Sequence, residues 1–128
     1  MRKSRNKRTP SAPDRSPRAT PARRWPPDAD TLDAMIAEAT VDANGEEERA
    51  VGMFTALEEA LEVPFETDIL GVAAIVERLD LSDDGVIVAR CRRGRVTQTI
   101  SVLALRLASP RPVGAEWIEA YRRMVRWR

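Results

Sequence analysis

Residues 44–65 read NGEEERAVGMFTALEEALEVPF, and this stretch decides the fold. Asn44 suits an N-cap, and Glu47 stands where a capping-box partner belongs. Ala50, Met53, Phe54, Leu57 and Leu61 then recur at helical spacing, with Glu48, Gly52, Thr55, Glu59 and Glu62 on the opposite, wet face. Pro64 lacks the N–H that a continuing helix needs. The spacing therefore predicts a helix from Gly45 to Glu62.

On the N-terminal side, Leu32, Met35, Ile36 and Ala39 form one face of a shorter helix, for which Asp30 or Thr31 offers a cap. Residues 1–30 carry prolines at 10, 13, 17, 21, 26 and 27 and few apolar groups, so they read as a disordered basic tail. Trp25 is the exception and can dock on the folded part. The remaining residues, 31–128, suffice for one domain with a modest core.

On the C-terminal side the period switches to that of strands: Thr67–Val72, Ala73–Leu79, Val86–Arg92, and one or two more over Val96–Leu107. Asp83-Asp84-Gly85 and Arg93-Gly94 punctuate them as turns. Five short strands joined this tightly predict a small, strongly bent antiparallel sheet, an SH3-like barrel, beside the helices. Ser109-Pro110-Arg111-Pro112 reads as a linker, and Gly114–Trp127 as a closing helix with Trp117, Tyr121 and Met124 on one face. The fold class is α+β.

The net charge of +1 conceals a division. Residues 1–30 carry +6, residues 31–84 carry −13, and residues 85–128 carry +8. Such a chain attracts cations at its middle and polyanions at its ends. The chain has no histidine and one cysteine, Cys91, so neither an intramolecular disulfide nor a thiolate zinc site can form within it. That suits a cytoplasmic protein. No apolar run approaches the roughly 20 residues of a membrane helix, and no membrane partner is expected.

Two readings of the acidic residues stand side by side. Glu46-Glu47-Glu48 can be a helix start favoured by the dipole, and Glu58, Glu59 and Glu62 a solvated face. Carboxylates late in a helix oppose that dipole, however, and Arg49 and Arg78 are the only cations within residues 31–84. Arginines of residues 85–128 can neutralise them by tertiary contact. Alternatively, the carboxylates can gather a hard cation such as Ca²⁺, which takes several oxygen ligands. An EF-hand loop counted from Asp42 fails, with Glu47 at the sharp turn and Met53 where a bidentate Glu is needed.

Val41-Asp42-Ala43, Gly45-Glu46-Glu47-Glu48-Arg49-Ala50-Val51-Gly52, Leu57-Glu58-Glu59-Ala60-Leu61 and Pro64-Phe65 resemble the signature of the small cyanobacterial calcium-binding proteins of the CcbP type. The resemblance runs over about residues 40–107 and is strongest over Val41–Phe65. It implies helices paired with a small barrel-like sheet. It also implies Ca²⁺ binding in a buffering or signalling role without catalysis, with Asp42, Glu46, Glu47, Glu48, Glu58 and Glu59 as the motif acids. The chain departs from the pattern at Met53-Phe54-Thr55-Ala56, where several aromatics are usual, near Ser101–Leu103, where a proline is expected, and in its arginine-rich sheet.

Asp80, Asp83 and Asp84 with Gly85 read either as a second oxygen site or as an ordinary turn. Glu66 and Asp68 should share one face of a strand, near Glu62 or in solvent. Arg90-Cys91-Arg92-Arg93-Gly94-Arg95 and the basic tail give the alternative function, a module binding nucleic acid or a protein partner through phosphate-matching arginines. No nucleophile elbow or Gly-rich phosphate loop points to an enzyme. Flanking arginines could lower the Cys91 pKa, although its strand setting favours an inert or half-buried thiol.

Overall fold

The computed structural model describes residues 25–126; most of the expected tail lies outside them, as does Trp127. The first helix, α1, spans Ala29–Ala39. Its cap is Asp28, whose carboxylate accepts from the Thr31 amide at 2.9 Å, and not Asp30 or Thr31. Asp30 lies instead in the first turn, where its charge complements the helix dipole. The expected apolar face is the one that packs: Leu32 is buried, and Met35, Ile36 and Ala39 lie against the core. Trp25, ahead of the helix, stacks on the Arg111 guanidinium, 4.2 Å from the ring centroid.

The second helix, α2, spans Glu46–Ala60. Its N-cap position falls to Gly45, which makes no side-chain bond. The expected Asn44–Glu47 box does not form; Glu48 Oε1 instead accepts from the Asn44 amide at 2.8 Å. The helix ends before Pro64 is reached, because the Glu62 amide turns outward and donates to the Val113 carbonyl at 2.9 Å. Ala50, Met53, Leu57 and Leu61 are buried as the spacing predicts.

Gly52 does not belong to a wet face. A Cβ there would stand 2.3 Å from the Ala39 carbonyl oxygen, so Gly52 is where α2 crosses the end of α1. Gly114 serves the C-terminal end of α2 in the same way: its φ is +90°, and a Cβ would stand 2.2 Å from the Ala60 carbonyl oxygen.

Four strands follow among the described residues: β1 (Phe65–Ile69), β2 (Val72–Leu81), β3 (Ile87–Arg93) and β4 (Val96–Ser101). They form an antiparallel meander in the order β1-β2-β3-β4. The sheet is open, not the closed SH3-like barrel of five strands expected from the spacing. After β4 the chain makes a 3-10 turn at Val102–Ala104, capped by Ser101, and then returns to β1. There Thr67 donates its hydroxyl to the Arg106 carbonyl at 2.8 Å. A side chain thus makes the contact that a fifth ladder would otherwise make.

The first two strands are separated by a two-residue turn, Leu70-Gly71, that the alternation conceals. Between Val76 and Arg78 a bulge absorbs one residue, so that Val76 and Leu79 both face inward. Ile87, Ala89 and Cys91 of β3 share that inner face. The last helix, α3 (Ala115–Arg126), covers it with Ile118, Tyr121 and Met124, while Trp117 is only half-buried. The Tyr121 hydroxyl accepts from the buried Ile87 amide at 3.1 Å, a bond contributing about 1 kcal/mol.

Cys91 is fully buried and burial raises its thiol pKa, which agrees with the inert thiol favoured by its strand setting and not with the lowering that flanking arginines could cause. Strand alternation sends Arg90 and Arg92 to the opposite face, where they meet Asp80 at 3.6 Å and Glu77 at 2.7 Å.

Arg123 of α3 grips Asp33 of α1 with two nitrogens, at 2.6 and 3.2 Å. The hydrogen bond from Arg123 holds the Asp33 carboxyl below its ordinary pKa of 3.8. A depressed folded-state pKa means that this contact contributes fully above the unfolded value and is lost as pH falls through the folded value. Acid unfolding of the parent and Asp33→Asn should therefore differ in slope below about pH 4 and run parallel above it. Gly52→Ala should lower stability by about 1 kcal/mol or more in urea titration. The helix-propensity gain of about 1 kcal/mol does not offset a collision with backbone that only a shift of α1 relieves.

Candidate functional site

The six motif acids are exposed, and the fold places all of them but Glu58 in two clefts that share Glu48. The first cleft, about 520 Å³, lies where α1, its connection to α2, and α2 meet. Glu38 of α1, Asp42 of the connection, and Glu48 and Glu59 of α2 line it, with Thr55, Gly52 and Trp117. The second, about 510 Å³, lies between the start of α2 and the β2–β3 turn. Glu46, Glu47 and Glu48 line one side and Asp83 and Asp84 the other. Glu58 lines neither cleft.

Local sequence explains the placement. Glu46, Glu47 and Glu48 occupy the first turn of α2, where carboxylates are favoured by the helix dipole. Asp83 and Asp84 sit in a turn closed by bonds from the Gly85 amide to the Ser82 carbonyl and from the Ser82 amide to the Val86 carbonyl, both 2.9 Å. Those two residues make a turn and also face the acidic helix start, so the two readings of this segment do not exclude each other. Asp80 is not part of it; it lies on the outer face with Arg78 and Arg90, at 3.4 and 3.6 Å.

Arginines of the sheet and of α3 engage acids outside the motif. Asp33, Asp68, Glu77, Asp80 and Glu119 accept from arginines. Among the described residues Asp42, Glu47, Glu48, Glu58 and Glu59 pair with none. Arg106 engages Asp68 at 3.4 Å. The tertiary neutralisation considered for the acidic helix thus falls on the sheet.

The donor set is composed of carboxylate oxygens, which fits a hard cation of the Ca²⁺ type in charge and ligand chemistry. Among the described residues no three acidic or thiol groups stand close enough to grip one ion. Closing a coordination sphere takes side-chain rotation, which exposed glutamates make at little cost. Sequence reasoning missed Glu38. Its register in α1 carries no cation signal, and only the crossing of the two helices turns it towards Asp42.

No protein-family model matches the sequence, and no curated protein matches it. Two solved structures share the fold. The crystal structure of Anabaena CcbP superposes with a TM-score of 0.64 at 19% identity, covering 77% of this chain and 92% of that one. A calcium-binding protein in its calcium-binding form superposes with a TM-score of 0.65 at 19% identity, covering 76% and 90%. The fold is thus of the CcbP type, as the resemblance of residues 40–107 implied. At this identity the likeness carries the architecture and not the ligands.

Because Glu58 and Glu59 stand in the last turn of α2 with no basic residue beside them in that turn, they oppose the dipole. Replacing both by Gln in metal-free protein should raise the urea midpoint, by about 0.3–1 kcal/mol of stability for each site.

Proposed function

We propose that this protein binds Ca²⁺ without catalysing a reaction, as a cytoplasmic buffer or signalling protein. The ligands are drawn from the carboxylates of the acidic helix and the loop before it: Asp42, Glu46, Glu47, Glu48, Glu58 and Glu59. Asp83 and Asp84 add to the second cleft. One observation carries this reading: carboxylates from separate elements face common clefts while Arg90, Arg92 and Arg106 engage other acids. The names of the two structural neighbours, one called a calcium-binding protein, support the choice of ion.

Binding would relieve repulsion between carboxylates that folding has brought together, and so would stabilise the fold. An ion present at about 100 times its Kd adds about 2.7 kcal/mol. Mg²⁺ should compete weakly, since it demands tighter octahedral geometry and sheds its water reluctantly.

Isothermal titration at about 0.15 M salt, where surface attraction is screened beyond about 8 Å, tests the reading. The parent should bind Ca²⁺. Glu47→Gln combined with Asp84→Asn should weaken binding about tenfold or more if the second cleft holds the ion. Asp42→Asn combined with Glu59→Gln makes the same test of the first. Absence of any heat from the parent at millimolar Ca²⁺ would end the proposal.

A further inference from the structure

In a four-stranded meander alternate turns fall at the same end of the sheet. The Leu70-Gly71 turn and the Gly94-Arg95 turn share one end, and the Asp83-Asp84-Gly85 turn lies at the other. The pairing of Ile75 with Arg92 sets the Leu70 tip foremost, ahead of the Gly94 tip by about two residues, or roughly 7 Å.

Leu70 is anomalous there. Its φ is +52° and its side chain is 95% exposed. Two-residue turns with positive φ favour Asn or Gly, because a Cβ crowds the backbone in the left-handed region. Leu70 therefore strains the turn and gains no burial on folding. Neither the hairpin nor the core requires it. Val72 and Val96, both about half-exposed, stand beside the two tips. Arg93, paired across the ladder with Val96, and Arg95 engage no carboxylate among the described residues. Asp68, on β1 near the Leu70 tip, is held by Arg106.

We propose that this end of the sheet docks on an anionic lipid surface. Leu70, Val72 and Val96 enter the boundary between headgroups and acyl chains, and Arg93 and Arg95 meet lipid phosphates through their forked donors. The acidic end, with Glu46, Glu47, Asp83 and Asp84, then faces away from the surface, an orientation that the negative surface potential enforces. A bilayer fits the tips better than nucleic acid does, because branched aliphatic side chains give bases no stacking platform. Peripheral docking needs no spanning segment, and no helix among the described residues is long and apolar enough to cross a membrane. The proposal does not rest on Ca²⁺ binding.

Co-sedimentation of the full chain with vesicles tests it, using phosphatidylcholine alone or mixed with phosphatidylserine, in EDTA and at two salt concentrations. The parent should partition to the mixed vesicles, less so at high salt. Leu70→Asn should lower partitioning about tenfold while leaving its salt dependence in place. Arg93→Ser with Arg95→Ser should lower it about fivefold for each charge and flatten the salt dependence. Asn suits the turn better than Leu, so Leu70→Asn should melt no lower than the parent, and a loss of binding then reports the surface and not unfolding. The basic tail acts equally in every variant. Equal partitioning of parent and Leu70→Asn, or no partitioning of the parent, would overturn the proposal. So would retention of generic DNA that the arginine changes abolish and Leu70→Asn leaves intact, which would assign the tips to nucleic acid.

Discussion

The architecture depends on two close approaches of α2 to neighbouring backbone, one near the middle of the helix and one at its C-terminal end. At Gly52 it crosses the Ala39 carbonyl, and beyond Ala60 it meets Gly114 in a left-handed conformation. A side chain at either glycine would occupy space already held by a backbone oxygen, which cannot rotate aside. These two approaches set the position of the whole acidic helix. They bring Glu38 and Asp42 to one flank of it and the β2–β3 turn to its start. The buried face of α2 then follows, with Met53 and Leu57 in the core that α2 shares with β2 and α3.

The charge division along the chain becomes a division in space. The outer face of the sheet neutralises itself, arginine against carboxylate across neighbouring strands, through Arg92 with Glu77 and Arg90 with Asp80. Exposed pairs of this kind contribute little to stability, typically below about 1 kcal/mol each. Their effect is on availability: they occupy arginines that would otherwise offset the acidic helix. Negative charge accumulates around α2 and the β2–β3 turn. Positive charge at the hairpin tips is left beside apolar side chains.

Legibility differed between residues for identifiable reasons. The apolar stripe of α2 was readable because helical spacing and burial coincide at Met53, Leu57 and Leu61. Gly52 was misplaced, since a periodicity argument treats glycine as a polar-face residue and has no means of detecting a close helix crossing. Leu70-Gly71 passed for strand because leucine is an uncommon residue at positive φ. The barrel expectation failed where strand propensity continues through Val102–Leu107 but Ser101 caps a 3-10 turn, after which Arg106 ties the segment to β1 through Thr67 and Asp68 without a strand ladder. Arg90 and Arg92 do not lower the Cys91 pKa because neighbours in a strand point to opposite faces, and burial gives the inert thiol that the strand setting favoured.

Local chemistry alone determined the helices, the hairpin at Gly94 (its turn one residue later than expected, at Gly94-Arg95), the α+β class and the concentration of carboxylates in the middle of the chain, because spacing and turn residues act over a few positions. Tertiary structure decided which carboxylates share a cleft, separating Glu58 from Glu59 and joining Asp83 and Asp84 to Glu46 and Glu47. It also decided which arginines are engaged elsewhere. Those outcomes depend on the angle at which α2 crosses α1 and on strand register, which arise from contacts between residues far apart in the chain.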